Sequence, residues 1–356
     1  MRTSKMEVNI SNFKHNVNEI KNYVPNKEIM PVVKANAYGT YLNTRLDILN
    51  MFQIVAIAIL DEAKYLRKLG YQKDIFILNQ LPIDDIEEIQ EVKPIIGLSS
   101  LEFVNALGNK EIRVHLELET GMNRTGIKKE ELLNFIEELK KHPNIKVEGA
   151  YTHLSSADYD EEYTLKQINT FKDCVSIIKE HFDIKYIHCD ASNGLLNYHD
   201  DFTNLVRPGL ILYGYEPFKG ADKILNLKPT CKLSTKITFL KTITENESVS
   251  YSRKYITDKE TTVATIPIGY ADGLRRELSN KGYVVVNNHR APIIGNICMD
   301  SCMIDVTNLD VHIGDTVYIF DNDYITLDEI AEECNTINYE ILCTFSYRIP
   351  RYFINE

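Results

Sequence analysis

Apolar and polar positions alternate with a regular rhythm through the first 215 residues of the chain. Short runs rich in Val, Ile and Leu predict buried strands, and the stretches between them carry apolar residues at helical spacing. The predicted strands cover residues 29–33, 54–59, 75–78, 95–98, 112–118, 147–153 and 184–188, with the last at 205–206 or 210–213. The chain therefore repeats a strand–helix unit about eight times.

Helices are predicted at residues 11–23, 42–50, 61–69, 84–90, 129–141 and 163–181, with another starting near 100. Ser11 and Ser100 have the residue type that caps helix N-termini. Eight such units are typical of a (β/α)8 TIM barrel, whose active site lies at the carboxyl ends of its strands. An open doubly wound sheet is the alternative architecture, but the Gly-rich GxGxxG turn that it usually carries is missing.

The rhythm changes at about residue 228, where short strands follow one another without long helices. Predicted strands lie at 232–242, 249–251, 261–267, 283–287, 291–294, 303–306 and 316–320, with turns at Asp272-Gly273 and Asn287-Asn288. We therefore predict an α/β barrel domain over residues 10–228, followed by a mostly-β C-terminal domain over residues 229–356. Residues 1–9 could add a strand to the second domain.

Composition narrows the class of protein. The formal net charge of −11 argues against a nucleic-acid partner, which requires clustered Lys and Arg. The N-terminus has no apolar signal region and no apolar run is long enough to span a membrane, so a cytoplasmic protein without a membrane partner is expected. Seven cysteines without CxxC spacing and nine histidines without an HExxH motif predict no metal site.

Five polar side chains follow predicted barrel strands and should meet at one mouth. They are Lys34, Arg124, His153, Ser192 and Arg207. A lysine at a strand end can act as a nucleophile or a base, and two guanidinium groups with a serine suit an anionic, phosphate-bearing ligand. Pyridoxal 5'-phosphate has both features that these residues suit: a phosphate for the cations and the serine, and a reactive carbonyl for the lysine.

Eight ordered motifs carry a resemblance that runs along nearly the whole chain. They are the sequences VKANAYG at 33–39, TGMNR at 120–124, TH at 152–153, VRPGL at 206–210, YG at 213–214, IGYADG at 268–273, ICMD at 297–300 and SYRIPR at 346–351. In these motifs the chain resembles the alanine racemase family. The resemblance implies a pyridoxal 5'-phosphate-dependent isomerase, built as a homodimer whose sites are shared between subunits.

The resemblance also implies a role for individual residues. Lys34 is expected to bind the cofactor covalently and to act as the base on one face of the substrate α-carbon, with Tyr251 as the base on the other face. Arg207 should donate to the pyridine nitrogen. The other implied cofactor contacts are Tyr38, His153, Ser192, Gly209, Leu210 and Tyr347. Arg124, Tyr270 and the Met299 amide should bind or enclose the substrate. Tyr251, Tyr270, Cys298, Met299 and Asp300 are implied to reach the site of the neighbouring subunit.

Three positions depart from the family pattern. Glu117 stands where many members carry a carbamylated lysine, so we predict that Glu117 pairs with Arg124 and that activity does not need bicarbonate. Thr40-Tyr41 replaces the usual HisGly, and the helix that follows is about two residues short. The segment Asp190-Ala191-Ser192-Asn193 lacks the asparagine that commonly precedes the phosphate-binding serine.

The function predicted from these observations is interconversion of L- and D-alanine, which would supply D-alanine for peptidoglycan. A serine racemase or a broad-spectrum racemase of the same fold would share nearly every motif, but Tyr347 leaves little room beyond a methyl group. A decarboxylase on a related barrel should have an acidic residue in place of Arg207. A non-enzymatic cofactor-binding protein should lack the second domain that carries Tyr251.

Overall fold

We describe a computed structural model of the protein over residues 3–355. The chain forms two compact units. The barrel unit contains residues 15–37 and 41–227, and the β unit contains residues 3–14, 38–40 and 228–355. Of the terminal segments assigned to the second domain from the sequence, residues 1, 2 and 356 lie outside the described part of the chain. Within residues 3–355, no helix is both long and apolar enough to cross a membrane.

Strands and helices alternate in the first unit, and strands dominate the second. The strands, in chain order, are β1 (Lys5–Asn9), β2 (Glu28–Ile29), β3 (Ile54–Ile57), β4 (Asp74–Ile77), β5 (Ile95–Leu98), β6 (Ile112–Glu119), β7 (Ile127–Lys128), β8 (Ile145–Tyr151), β9 (Tyr186–His188), β10 (Leu205–Val206), β11 (Cys231–Lys236), β12 (Phe239–Ile243), β13 (Ser248–Val249), β14 (Tyr255–Ile256), β15 (Thr261–Ile266), β16 (Tyr283–Val286), β17 (His289–Ile294), β18 (Cys302–Asp305), β19 (Thr316–Phe320) and β20 (Arg351–Ile354). The α-helices are Ile10–Tyr23, Leu46–Leu49, Leu60–Leu69, Ile86–Val92, Leu101–Leu107, Leu132–Leu139, Glu161–Lys179, Ser192–Tyr198, Leu327–Glu333 and Asn338–Thr344. Short 3-10 helices lie at Leu42–Thr44, Ile83–Asp85, Lys129–Glu131, Leu210–Tyr213, Ala221–Lys223, Tyr251–Arg253, Tyr270–Asp272 and Arg276–Leu278.

Parallel strands close the barrel unit into a ring. The order β3-β4-β5-β6-β8-β9 is continuous, and β10 pairs with β2. Two single bridges complete the circle, from Val32 to Ala56 and from Ala191 to Arg207. The ring follows the order predicted for a (β/α)8 barrel. All four residues of β3 are buried, as expected for a parallel strand covered on both faces.

Several predicted boundaries in the barrel unit are wrong. Of the two alternatives for the last barrel strand, residues 205–206 are confirmed as β10, and residues 210–213 are wrong because they form a 3-10 helix. Strand β8 ends at Tyr151, and His153 therefore lies in the following loop. The first helix begins at Ile10, and its cap is Asn9, whose Oδ1 accepts from the backbone N–H of Asn12. Because Ser11 already lies inside the helix, it cannot serve as the cap.

The segment after Lys34 has an unusual backbone. Ala35, Asn36, Ala37, Tyr38 and Gly39 all have positive φ, between 52° and 74°. One such residue outside glycine is uncommon, and consecutive ones form a turn of left-handed helix. Left-handed residues cost about 1 kcal/mol or more each, so surrounding structure must hold this turn.

The β unit is built on one large sheet. Within the described residues its order is β12-β15-β18-β17-β16-β19-β11-β1-β20. Neighbouring strands are antiparallel except β1 and β20, which are parallel. The predicted turn at Asn287-Asn288 joins β16 to β17, and both asparagines have the positive φ that a tight hairpin needs. The helices Leu327–Glu333 and Asn338–Thr344 also belong to this unit and were not predicted from the sequence.

Candidate functional site

The carboxyl ends of the barrel strands bring polar side chains together. Lys34 follows the first strand segment, Arg124 lies in the loop after β6, and His153 follows β8. Ser192 and Arg207 follow β9 and β10, and the segments that carry them are linked by backbone pairing, since Arg207 N–H donates to the carbonyl of Asp190 at 2.8 Å. The barrel unit thus gathers these predicted residues at one end of its sheet.

Arg207 is the most deeply buried cation of this group, with 2% of its surface exposed. One terminal nitrogen donates to the carbonyl of His188 at 2.9 Å and to its ring Nδ1 at 2.7 Å. The other donates to the carbonyls of Thr152 at 2.8 Å and Cys189 at 3.3 Å. The guanidinium Nε–H has no acceptor among the described residues. Arg207 is therefore held in place with one donor to spare.

His153 lies beside this guanidinium and is held neutral. Its Nδ1 is 3.5 Å from a terminal nitrogen of Arg207, and its carbonyl accepts from the buried amide of Gln167. Burial, followed by the positive charges of Arg207, Arg124 and Lys34, lowers the pKa of His153 to about 3. The shift also indicates that all three cations lie within electrostatic reach of one imidazole ring.

Ser192 and the turn after Arg207 form a compact polar group. The backbone N–H of Gly209 donates to Ser192 Oγ at 3.1 Å, which leaves the hydroxyl proton available to another acceptor. Leu210 begins the 3-10 helix Leu210–Tyr213, so its N–H has no partner within that helix. Asp190 points away into the protein, where its carboxylate accepts from Thr203 Oγ1 at 2.6 Å and pairs with buried Lys27.

The predicted ion pair between Glu117 and Arg124 does not form. Glu117 Oε1 accepts from the hydroxyl of Thr125, and Oε2 is buried without a hydrogen-bond partner among the described residues. Arg124 is exposed, and the loop that carries it is held at its start by Glu119, whose carboxylate accepts from the backbone N–H groups of Gly121 and Asn123. Burial raises the pKa of Glu117, while Thr125 and the charge of Arg124 lower it.

The β unit presents large side chains to solvent. Tyr347 is 85% exposed, Tyr251 69%, Met299 53% and Tyr270 44%. Cys298 is half-buried, and Asp300 is exposed. Tyr38, in contrast, is buried in the same unit with its ring 6.2 Å from that of Tyr339, and burial raises the pKa of its phenol. Exposed aromatic residues of this size suit an interface or a ligand.

Backbone contacts join the segments that carry these exposed residues. Tyr270 N–H donates to the carbonyl of Cys298 at 3.1 Å, and Ala271 N–H to that of Met299 at 3.0 Å. Asn296 Nδ2 donates to the carbonyl of Tyr251 at 2.8 Å. The three segments are therefore fixed relative to one another.

Arg348 ties Tyr347 to the same surface. Its guanidinium pairs with fully buried Asp272 at 3.4 Å and with Asp300 at 2.6 Å. Ser346 N–H also donates to the carbonyl of Asp272. The β unit thus positions Tyr251, Tyr270, Met299 and Tyr347 on one connected framework.

Three residues with contacts in these sites were not given a role from the sequence. His188 and Thr152 contact Arg207 in the barrel unit, and Arg348 pairs with Asp272 and Asp300 in the β unit. His188 had a usable signal, because it ends a predicted strand as Lys34 does. Arg348 lies within one of the eight motifs, but its partners Asp272 and Asp300 are distant in sequence. Thr152 lies within the TH motif at 152–153, but it contacts Arg207 through its backbone carbonyl, a contact that the side-chain type does not indicate.

Fold and site together define a class of protein: a (β/α)8 barrel with a cationic cluster at the carboxyl ends of its strands, accompanied by a β unit that exposes tyrosines. Residues 8–217 match the family model "Alanine racemase, N-terminal domain", and residues 230–353 match "Alanine racemase, C-terminal domain". The chain belongs to the alanine racemase family.

Individual relatives are similar to this chain over nearly its full length and theirs. The chain is 36% identical to alanine racemase 2 of Caldanaerobacter subterraneus subsp. tengcongensis, covering 99% of this chain and 95% of that protein. It is 37% identical to alanine racemase 1 of Clostridium acetobutylicum, covering 98% and 95%. The solved alanine racemase of Clostridium difficile 630 superposes with a TM-score of 0.94 at 32% identity, covering 100% of this chain and 97% of that one. Alanine racemase from Bacillus anthracis with bound L-Ala-P gives 0.94 at 35% identity, covering 100% and 96%.

Proposed function

We propose that this protein is a pyridoxal 5'-phosphate-dependent racemase that interconverts L-alanine and D-alanine and supplies D-alanine for peptidoglycan. The observation that carries the proposal is the nearly buried guanidinium of Arg207, whose Nε–H is unused, beside a neutral His153 whose pKa the charge of Lys34 also lowers. Family membership supports the reaction, and one solved relative was crystallised with bound L-Ala-P.

The chemistry of the donor set fits the proposed cofactor. A pyridine nitrogen accepts one hydrogen bond, and Arg207 has one N–H left for it. The Ser192 hydroxyl, the amides of Gly209 and Leu210, and the phenols of Tyr38 and Tyr347 suit a phosphate. Lys34 would hold the cofactor covalently, with His153 beside it. When bound, the cofactor would draw electrons from the substrate and make its α-hydrogen acidic.

Arg207 would limit the reaction to proton exchange. Arginine does not give up its proton in proteins, so the pyridine nitrogen that it faces would stay unprotonated. An unprotonated ring withdraws electrons less strongly, which disfavours side reactions such as transamination. An acidic residue at position 207 would favour a decarboxylase instead, and the sequence has none there.

Racemisation requires two bases on opposite faces of the α-carbon. Lys34 would remove or return the proton on one face, and the Tyr251 hydroxyl would do so on the other. Arg124 and the Met299 amide would hold the substrate carboxylate, and Tyr270 would narrow the access to the site. These assignments follow the positions that the chain shares with its family.

We further propose a homodimer in which each barrel is completed by its partner's β unit. Tyr251, Tyr270, Cys298, Met299 and Asp300 would then serve the neighbouring barrel, and Arg348 would hold their segments in place. The exposure of Tyr251, Tyr270 and Met299 supports this arrangement, because such side chains are usually covered.

Two variants test the proposed chemistry. Lys34→Ala should abolish the absorption band of the lysine-bound cofactor at about 420 nm and reduce racemisation by at least about 10³-fold, since it removes both the attachment point and one base. Tyr251→Phe should keep the band while slowing both directions, because only the second base is lost. Unchanged rates in the Tyr251→Phe variant would contradict the two-base scheme.

Substrate preference is tested separately, because a serine or broad-spectrum racemase of the same fold is the second candidate. We expect kcat/KM for L-alanine to exceed that for L-serine and L-lysine by at least about tenfold, since Tyr347 would limit the space beyond a methyl group. Coupled assays with the three L-amino acids measure the ratio. A higher kcat/KM for serine would replace alanine as the substrate.

A further inference from the structure

Two histidines continue the contact network of Arg207 into the barrel interior. His188 ends β9, and His115 lies in the middle of β6; both side chains are fully buried. His188 Nδ1 faces Arg207 at 2.7 Å, and His188 Nε2 faces His115 Nδ1 at 2.8 Å. Arg207, His188 and His115 thus form one file of hydrogen-bonded side chains, which runs from the barrel mouth to its interior.

The donors and acceptors along this file have only one consistent order. An arginine offers N–H donors and no acceptor, so His188 Nδ1 must accept. A ring whose Nδ1 accepts is neutral and carries its proton on Nε2, which therefore donates to His115. By the same reasoning, His115 Nδ1 accepts and His115 carries its proton on Nε2. The charge on Arg207 thus selects the tautomer of both rings.

The file ends in an unusual way. His115 Nε2 is buried and has no hydrogen-bond partner among the described residues. Its ring instead stacks on Phe76, with centroids 4.8 Å apart. An unsatisfied buried N–H is costly and rare, so a protein that keeps one usually gains something for it. A leucine or phenylalanine would pack at this position without that cost.

Neutral rings are consistent with the surroundings. Burial lowers the pKa of His115 to about 3 and that of His188 well below its usual value, and the charge of Arg207 lowers both further. Tyr151 stacks on His188 with centroids 5.2 Å apart and planes 4° apart, which fixes the ring between Arg207 and His115.

We propose that His115 is a positioning residue for Arg207. By accepting from His188 Nε2, it stabilises the tautomer in which His188 Nδ1 is an acceptor, and that acceptor holds the guanidinium with Nε–H left for the site. Without His115, the Nδ1–H tautomer of His188 becomes accessible and turns a donor toward Arg207. The consequence for catalysis rests on the proposed function, whereas the tautomer order does not.

The tautomer order is tested by nitrogen-15 NMR of the histidine-labelled wild-type protein, with the His188 and His115 signals assigned from single variants. Nε2–H signals for both rings, unchanged between pH 6 and 8, are expected. A cationic ring or an Nδ1–H tautomer at His188 would overturn the proposal, whether or not the protein racemises alanine.

Variants at His115 test the consequence for the site. His115→Phe keeps an aromatic ring against Phe76 but removes the acceptor, and we expect kcat for alanine to fall about tenfold, KM to change less than about threefold, and the cofactor band to shift. His115→Asn places an oxygen near the former Nδ1 and should restore most of kcat. Phe76→Leu disturbs the packing against both histidine rings but removes no donor or acceptor of the file, so it should leave kcat and the band near wild type.

Loss of kcat in His115→Phe together with recovery in His115→Asn supports the proposal. Equal losses in His115→Asn and His115→Phe, or an equal loss in Phe76→Leu, would assign His115 to packing alone. If His115→Phe does not fold, the wild-type NMR experiment and the comparison of His115→Asn with Phe76→Leu still decide the matter.

Discussion

Arg207 brings a full positive charge into the barrel while only 2% of its surface stays exposed. A buried ion without partners costs several kcal/mol, so its hydrogen-bond acceptors must compensate. These acceptors are backbone carbonyls and the His188 ring rather than a carboxylate. The charge is therefore not neutralised by a carboxylate partner. This leaves the guanidinium able to act on the pyridine nitrogen of the proposed cofactor.

Neutral buried histidines make stability depend on pH. His115 and His153 have pKa values of about 3 in the folded protein, below the ordinary value of 6.5. Below pH 6.5 the unfolded chain binds protons that the folded chain does not, so the free energy of unfolding should fall as pH drops from 6.5 toward 3. Well below pH 6.5 each histidine contributes about 1.4 kcal/mol per pH unit.

Urea unfolding between pH 5 and 8 at constant protein concentration measures this slope. His115→Asn should flatten it between pH 5 and 6.5 by the contribution of one histidine, because asparagine does not titrate. The raised pKa of Glu117 makes the free energy of unfolding rise as pH falls, which is the opposite direction. Glu117 is present in both proteins, so its contribution cancels in the comparison. Equal slopes would show that His115 is not the titrating group.

Glu117 leads to a second prediction at this scale. Its side chain carries a carboxylate without any modification, whereas a lysine at this position must be carbamylated to become negative. We therefore expect kcat and KM to be the same in bicarbonate-free and bicarbonate-supplemented buffer. In a Glu117→Lys variant the negative charge would depend on carbamylation, so its activity should rise when bicarbonate is added. A bicarbonate requirement in the wild-type protein would contradict the prediction.

At the scale of elements, the loop after β15 depends on close backbone packing. A Cβ added to Gly269 would lie 2.3 Å from the carbonyl oxygen of Cys298 and 2.4 Å from that of Met299. The φ of Gly269 is extended, so space rather than backbone conformation requires glycine here. This contact holds Tyr270 against the segment that carries Met299.

Gly269→Ala should therefore lower the stability of the β unit by about 2–4 kcal/mol and raise KM for alanine at least about fivefold, because overpacking separates the two segments. Thermal unfolding and steady-state kinetics measure both effects. Gly314→Ala is the matched control: its φ is +101° but its surroundings are open, so it should cost only about 1 kcal/mol and leave KM unchanged. Similar KM values in both variants would contradict the claim that close packing at Gly269 positions the segments of Tyr270 and Met299.

At the scale of the whole molecule, the proposed shared site predicts that two inactive variants complement each other. Lys34→Ala and Tyr251→Phe should each be nearly inactive alone. After the two variants exchange subunits at random, half of the dimers are mixed, and each mixed dimer has one site with both Lys34 and Tyr251 intact. The mixture should recover about one quarter of the wild-type activity. No recovery after verified exchange would place both residues in sites made by a single chain.

Much of the fold could be predicted because its signals are local. Parallel barrel strands are covered on both faces, so they appear as short apolar runs, and β5 and β19 were predicted with their observed bounds. Helix ends were less predictable, as at Ser11, because neighbouring residues such as Asn9 compete to provide the cap. The helices Leu327–Glu333 and Asn338–Thr344 were missed because they are short and lie among strands.

The order of residues along the chain was enough to determine an eight-unit barrel, an added β unit and the residues that follow each strand, since strand ends coincide with changes in local hydrophobic pattern. Only the tertiary structure decided which side chains meet. Glu117 turned from the expected Arg124 to Thr125, and His188 was found between Arg207 and His115. Such contacts depend on strand register and loop direction, which are set by packing between residues far apart in the chain.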